Sequence, residues 1–324
     1  MILGIESTAH TFGIGIVKNG KIIANSKDSY ITESGGIIPK EAADHHERAS
    51  VIVLNNALKE AKIKLNEIRY IAFSQGPGLS PCLIKGRDFA VKLAKELNIP
   101  IIGVNHCIAH LEISRITNAK DPVMIYASGA NTQIIAYSGK RYRVFGETLD
   151  IGIGNLIDNF ARYIGIGFPG GPKIAELAKK SSNYIPLPYS IKGMDIAFSG
   201  ILTKLKNMID SKKYRLEDLA YSLQETVFAM LIEAGERAMA HTEKEELVLA
   251  GGVACNERLQ EMSKLMCKER GSKAFIPDNS LLTDNGAMIA FLGEIMIKKR
   301  KKVNNRDIDI FPKQRTDEVE IFWK

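Results

Sequence analysis

The chain is short of cysteine and histidine and has no long apolar run, and each shortage narrows what it can be. Four cysteines (Cys82, Cys107, Cys255 and Cys267) are scattered over 324 residues with no CxxC pair. That spacing argues against a disulfide scaffold and a zinc ribbon, and fits a reducing compartment in which thiols are buried as small apolar side chains. No apolar stretch approaches the ~18 to 20 residues that span a bilayer, and "MILGIEST" lacks the charged and apolar regions of a signal peptide. A cytoplasmic protein with no membrane association is therefore expected. With 45% hydrophobic and 25% charged residues, the chain can bury two cores, so two lobes are expected. The net charge of +7 is a mild excess that favours a polyanionic partner. The densest basic run, Lys298 to Lys302, is either a phosphate contact or a solvated helix end.

What is present repeats an element order. "MILGIE", "FGIGIVKNG" and "KIIANSKDS" read as three strands separated by Gly and Asn turns. "SVIVLNNALKEAKI" has helical spacing, and "RYIAFSQGPG" is a strand ending in a tight loop. A helix over Cys82 to Leu97 and the strand "PIIGVN" follow. From Val123 the order returns: strands "VMIYASG", "TQIIAYSGK" and "YRVFGETL", then helices around Asn155 to Tyr163 and Lys173 to Lys180. An irregular stretch precedes a long helix from Leu216 to His241. The strand "ELVLAGGVACN", a helix, the strand "AFIP" and a last helix from Asn285 to about Lys299 complete the chain. The reading is α/β, built from duplicated βββαβα units. Residues 1–115, completed by 294–324, are expected to form the first lobe, and 116–293 the second, with the nucleotide, substrate and metal sites at the cleft.

The repeat also shows residue by residue. An offset of 121 places Ser7, Ala9 and Thr11 on Ser128, Ala130 and Thr132. Both matches fall where the first strand turns into the second, and a turn of small residues there exposes backbone N–H groups that can cradle phosphate. "AGGVACN" closes the matching strand of the second unit, with paired glycines against which a ring or ribose can lie.

Two of only six histidines, His106 and His110, sit four apart in "GVNHCIAHLEI". On a helix they share one face at ~5 to 6 Å between Cβ atoms, so both can reach one metal at ~2.0 to 2.1 Å. Alternatively, they cap carbonyls or pack at a lobe boundary. Cys107 occupies the place of the glutamate in the metalloprotease pattern HExxH. Asp284, in "LLTDNGAMIA", is either an ordinary N-cap or the third ligand of a site with open positions on iron or zinc.

In this order over nearly the whole chain, "GIESTAH", "AFSQGPG", "GVNHCIAH", "YASGANTQ", "GFPGGPKI", "KGMDIAFSG", "SLQET", "AGGVACN" and "TDNGAMIA" resemble the universal tRNA N6-adenosine threonylcarbamoyltransferase family. Its bacterial branch is TsaD, and its archaeal and eukaryotic branch is the catalytic subunit of the KEOPS complex, whose spellings of "KGMDIAFSG" and "HCIAH" this chain follows. The resemblance implies an actin/Hsp70/sugar-kinase-like (ASKHA) two-lobe fold. It implies one divalent metal per subunit, iron or zinc, on His106, His110 and Asp284, with Tyr126 near or on it. ATP, another adenine nucleotide or threonylcarbamoyl-AMP, with or without Mg, is implied on the phosphate-facing loop Ser128, Gly129 and Ala130. Asp158 and Gly171 would touch the ribose, and Gly251, Gly252 and Asn256 the adenosine. Two positions depart from the family pattern. Ala130 stands where relatives read Gly, adding a methyl group beside the phosphates. Ala175 stands where an acidic ribose contact is common, and neighbouring Glu176 points elsewhere on a helix.

The implied reaction moves threonylcarbamoyl from threonylcarbamoyl-AMP, made by a separate synthase, to N6 of the adenosine beside the anticodon in tRNAs reading ANN codons, releasing AMP. The implied partners are tRNA and the other KEOPS subunits: an atypical kinase-like protein, a dimerising subunit and a regulatory subunit. Catalysis is expected to be electrostatic, with no covalent enzyme intermediate. No general base is identified; His10, His45 and His46 are candidates by position, each with a structural alternative. Three competing readings remain at this point: a phosphotransferase with Glu6 as acidic base, a metallopeptidase, and a non-enzymatic nucleotide-binding scaffold.

Overall fold

The computed structural model describes residues 1–32, 36–299 and 308–324. The described residues form two compact units: one from Met1–Ile31, Ile37–Arg115 and Thr283–Lys324, the other from Thr32, Gly36 and Ile116–Leu282.

In the first unit, β1 (Ile2–Glu6), β2 (Thr11–Lys18) and β3 (Lys21–Ser29) form an antiparallel meander. Helix α1 (Pro39–Ala61) leads to β4 (Tyr70–Gly76), and α2 (Ser80–Leu97) to β5 (Ile101–Asn105). β1 pairs in parallel with β4, and β4 with β5, so the sheet runs β3-β2-β1-β4-β5. Helix α1 begins well before the apolar run "SVIVL", because Ala42, Ala43, His46, Ala49 and Val53 carry a 3.6-residue stripe through the polar-looking "PKEAADHHERA". The short α3 (His106–Ile113) follows β5 without a loop and is buried at all eight positions.

The second unit repeats the plan. β6 (Val123–Ala127), β7 (Thr132–Ser138) and β8 (Arg141–Glu147) form the meander, followed by α4 (Ile153–Tyr163) and α5 (Gly171–Ala178). The stretch read as irregular holds a two-stranded hairpin, β9 (Ile191–Lys192) and β10 (Asp195–Ile196), and helix α6 (Ser199–Asp210). Asp150 starts that helix: its carboxylate accepts from the backbone N–H groups of Phe198 and Ser199, both at 2.9 Å. The long α7 (Leu216–Thr242) fills the core, and β11 (Glu246–Ala250), α8 (Glu257–Glu269), β12 (Lys273–Phe275) and α9 (Asn279–Leu282) follow. The sheet order β12-β11-β6-β7-β8 mirrors that of the first unit.

The last helix, α10 (Gly286–Lys299), belongs to the first unit. The boundary expected at residue 293 would cut this helix; the structure changes unit at Thr283. Glycine is the reason. A Cβ on Gly4 would stand 2.2 Å from the Ala290 nitrogen, one on Gly15 2.1 Å from the Ala287 nitrogen, and one on Gly286 2.2 Å from the Gly15 nitrogen. Helix and strands meet backbone to backbone, which only glycine permits. Of the expected basic run, Lys298 reaches back to Glu294 at 3.1 Å, and residues 300 to 302 lie outside the described residues.

A candidate metal centre and a candidate nucleotide loop

Strand β5 delivers the metal helix. Its last residue, Asn105, caps α3 by accepting from the Ile108 N–H at 3.0 Å, so His106 and His110 begin the helix in fixed rotational phase. The two imidazoles lie edge to face with centroids 4.8 Å apart. Asp284 precedes α10, but it is not that helix's cap. Asn285 takes the role, its Oδ1 accepting from the Met288 N–H at 2.9 Å. The carboxylate of Asp284 is thereby free to face the histidines, with Oδ1 3.4 Å from both His106 Nε2 and His110 Nε2. Lys27 steadies the same turn from β3, bonding Thr283 Oγ1 and, at 3.3 Å, the Asp284 carbonyl.

Among the described residues, His106, His110 and Asp284 place one donor atom each within 4.8 Å of one another. Ligands at ~2.05 Å from a tetrahedral ion stand about 3.3 Å apart. The two 3.4 Å spacings match, so this donor set fits a divalent ion. All three residues belong to the first unit, including Asp284, which the expected bounds had put in the second lobe. Tyr126 lies on β6 of the second unit, buried between its β7 and β11 neighbours Gln133 and Ala250.

Behind His106 stands Glu6, fully buried at the end of β1. Its Oε2 lies 3.0 Å from His106 Nδ1, while Oε1 accepts from the Thr8 N–H at 2.7 Å and from the Thr8 hydroxyl. A carboxylate facing Nδ1 accepts its N–H and so turns the Nε2 lone pair toward the ligand position, as outer carboxylates do for metal-bound histidines. Glu6 is thus committed inside the protein, where it cannot face an acceptor as a phosphotransferase base. Burial works against charge on His106, but Glu6 and Asp284 outweigh it and hold the imidazole at about 9. Burial also disfavours ionised Asp284, yet His106 and His110 hold the carboxyl well below its usual range. His110 is pushed down by burial, with His106 adding to the depression, which leaves it the neutral imidazole that ligation needs.

In the second unit, the loop from β6 to β7 closes on itself: the Ser128 N–H donates to the Asn131 carbonyl at 2.9 Å, and Ser128 Oγ to the same carbonyl at 3.0 Å. Helix α4 is docked against the loop. The Gly154 N–H donates to the Ser128 carbonyl at 3.0 Å and the Asn155 N–H to the Gly129 carbonyl at 2.9 Å. In a trans peptide, C=O and N–H point oppositely, so the N–H groups of Gly129 and Ala130 point away from α4. Both residues are exposed, which leaves adjacent donors suited to an anion. The approach requires glycine at Gly152 and Gly154, where a Cβ would stand 2.4 Å from the Gly129 carbonyl oxygen and 2.7 Å from the Gly129 Cα. Gly251, at φ +92°, lies against the same loop, where a Cβ would be 2.3 Å from the Ala127 carbonyl oxygen.

The remaining expected nucleotide contacts divide by what the fold already asks of them. Gly171 and Gly252 have open space where a Cβ would be. Asp158 accepts from the Gly170 N–H at 2.8 Å, ordering the start of α5. Asn256 caps α8 by accepting from the Arg258 N–H at 2.9 Å and donates to Gln224 at 2.8 Å. Glu225 of "SLQET" grips Arg258 through two 2.8 Å bonds. Ala175 is half-buried on α5 and Glu176 is exposed.

The candidate bases also separate. His46 is fully buried with its ring 5.6 Å from that of Phe12, and burial, then His45, lowers it to about 4. It is a neutral core histidine. His45 faces Asp28 at 3.6 Å, and His10 is half-buried.

A family model described as TsaD, tRNA N6-adenosine threonylcarbamoyltransferase, matches residues 21–291. The chain belongs to this transferase family. A Thermococcus sibiricus protein named tRNA N6-adenosine threonylcarbamoyltransferase is 57% identical over 99% of both chains. A Drosophila melanogaster protein named as a probable member is 46% identical over 99% of this chain and 98% of its own. A Methanosarcina mazei protein named as a probable bifunctional tRNA threonylcarbamoyladenosine biosynthesis protein is 51% identical over 99% of this chain, which spans 59% of it. Among solved structures, T. kodakarensis HypF matches with a TM-score of 0.63 at 15% identity, over 92% of this chain and 47% of HypF. Component A of the Acidaminococcus fermentans (R)-2-hydroxyglutaryl-CoA dehydratase matches at 0.54 and 15%, over 90% of this chain and 98% of its own. These likenesses are of fold, and they bear out the ASKHA class expected from the transferase motifs.

Two charge pairings that the fold sets, Glu6 with His106 and Arg258 with Glu225, were not read from the sequence. Glu6 was legible as an anomaly, a carboxylate ending the apolar strand "MILGIE", because a charge buried there demands a partner. Arg258 carried no such signal, since its partner Glu225 is distant in sequence.

Proposed function

We propose that the chain transfers the threonylcarbamoyl group of threonylcarbamoyl-AMP to N6 of the adenosine beside the anticodon in tRNAs reading ANN codons. The bond from N6 to the carbonyl carbon forms, the bond from that carbon to the phosphate oxygen breaks, AMP leaves, and the amine proton passes to the leaving group or solvent. The observation that carries this reading is the His106, His110 and Asp284 donor set, backed by Glu6, in a chain of this family.

His106 Nε2, His110 Nε2 and Asp284 would hold iron or zinc, which would supply Lewis-acid polarisation of an acyl or phosphate oxygen, worth several kcal/mol of charge stabilisation. Glu6 keeps the Nδ1 proton of His106 away from the ligand face. The N–H groups of Gly129 and Ala130, with Ser128, hold the phosphate, so that AMP departs against fixed dipoles. Asp158 and Gly171 receive the ribose, and Gly251, Gly252 and Asn256 the adenine side, whether the occupant is the acyl-adenylate, AMP or ATP. Asn256 acts there through the backbone it caps, since its amide already bonds Arg258 and Gln224.

No side chain of the described site is a free base, and the reading needs none: an N6 amine attacking a polarised carbonyl loses its proton after bond formation. The cytoplasm and a complex with kinase-like, dimerising and regulatory subunits belong to this reading. The test is mass spectrometry of nucleosides from ANN-decoding tRNA incubated with threonylcarbamoyl-AMP, the protein and its complex partners. Wild type is expected to make threonylcarbamoyladenosine and the His106→Ala/His110→Ala variant on the order of a thousandfold less; equal product from both would overturn the mechanism.

A further inference from the structure

Residues 308–324 lie along the first unit and meet the metal helix at both ends. The Phe311 N–H donates to the Gln75 carbonyl at 2.6 Å and the Gly78 N–H to the Pro312 carbonyl at 3.1 Å, which holds this segment to the end of β4. From there, Gln314 Oε1 accepts from Asn105 Nδ2 at 3.0 Å. Asn105 is the residue whose Oδ1 caps α3, so Gln314 fixes the amide that fixes the helix start. At the other end, the chain's one tryptophan, Trp323, is buried at 4% exposure and donates its indole N–H to Glu112 Oε1 at 2.8 Å. Glu112 is fully buried, two residues beyond His110, and its Oε2 lies 2.8 Å from Arg115 Nε.

A buried carboxylate with two fixed partners sets the rotation and axial position of the helix turn that carries it. α3 has two turns, so fixing Asn105 at its start and Glu112 at its end leaves His106 and His110 little freedom. We propose that Gln314 and Trp323 are positioning residues for the metal centre: they clamp α3 at its cap and at Glu112, and so hold His106 and His110 at ligand spacing. This rests on the metal reading above and deepens it.

The test measures zinc and Fe(II) dissociation constants by chelator competition, with melting temperature followed in parallel. Trp323→Phe keeps an aromatic ring, though a smaller one, and removes the donor. Gln314→Leu removes the acceptor, while Gln314→Glu keeps it. Loss of one buried hydrogen bond in the support of a metal ligand is expected to weaken metal binding about tenfold. Trp323→Phe and Gln314→Leu should show this and Gln314→Glu should not. Arg258→Ala, a destabilised control in the second unit, should lower the melting temperature without changing metal affinity. Unchanged metal affinity in Trp323→Phe and Gln314→Leu, with or without a lower melting temperature, overturns the clamp. Failure of wild type itself to bind metal, or binding that survives His106→Ala/His110→Ala, overturns the metal reading instead.

Discussion

The two units share one sheet topology and differ at the turn that follows the first strand. Residues 7–10 connect β1 to β2 and 128–131 connect β6 to β7, but Glu6 pairs opposite Gly13, two residues into β2, whereas Ala127 pairs opposite Thr132, the first residue of β7. The 121-residue offset therefore aligns the strand ends and starts, while the pairing of the first two strands begins two residues earlier in the second unit. The residue that ends each first strand diverges with it. Glu6 turns a buried charge onto a histidine, whereas Ala127 is apolar and its loop presents exposed backbone N–H groups. One scaffold thus offers two kinds of candidate site: a charged side chain at one strand end backs a donor set that fits a cation, and small residues at the other leave backbone N–H groups suited to an anion. A buried carboxylate stays only where partners compensate its desolvation, and a backbone donor is available only where side chains leave it uncovered.

The comparison breaks most sharply when the cation site is emptied. His106→Ala/His110→Ala should abolish stoichiometric metal binding and lower transfer on the order of a thousandfold, read by metal analysis and by nucleoside mass spectrometry. Removing only the organising charge should do less. Glu6→Gln is expected to weaken metal affinity by about 10 to 100-fold in chelator competition, with nucleotide binding unchanged.

A third change strikes the anion site alone. Gly251→Ala places a Cβ 2.3 Å from the Ala127 carbonyl at φ +92°. It should cost about 2 kcal/mol of stability in denaturant titration and weaken ATP binding, with metal affinity untouched. Ala130→Gly sharpens the same contrast gently; ATP affinity measured by calorimetry should change by less than about threefold, because the donors it flanks are backbone.

The buried His46 supplies a pH test. Its folded value of about 4 lies below the ordinary 6.5, so the unfolded chain takes up the proton first as acid is added. Stability therefore falls as pH drops from 6.5 and the loss is complete near 4, amounting to about 3 kcal/mol. Urea titrations should show His46→Gln losing correspondingly less over that window, and identical slopes would remove the assignment.

Much of the fold was legible because its signals are local. The strands "VMIYA" and "TQIIAYS" announce themselves by composition, and α7 by its length and 3.6-residue pattern. The hairpin β9–β10 and α6 were missed, since that helix starts on the carboxylate of Asp150, nearly fifty residues earlier. The start of α1 was missed because its buried stripe is alanine and histidine rather than large apolar residues. At the site, His106 and His110 were paired by helix spacing alone, while the reading of Asp284 as cap or ligand was left open. Asn285 takes the cap, which leaves the Asp284 carboxylate facing the two histidines.

By itself, then, the sequence determined the repeated strand order, the two histidines on one helical face and the glycines at the nucleotide loop, because periodicity and backbone permissiveness act between near neighbours. Only the tertiary structure decided that α10 joins the first unit, that Glu6 backs His106, and that Gln314 and Trp323 reach α3. Those pairings join residues from 100 to 286 positions apart, as Glu6 to His106 and Gly4 to Ala290 show in the same unit, and they depend on packing that no local pattern encodes.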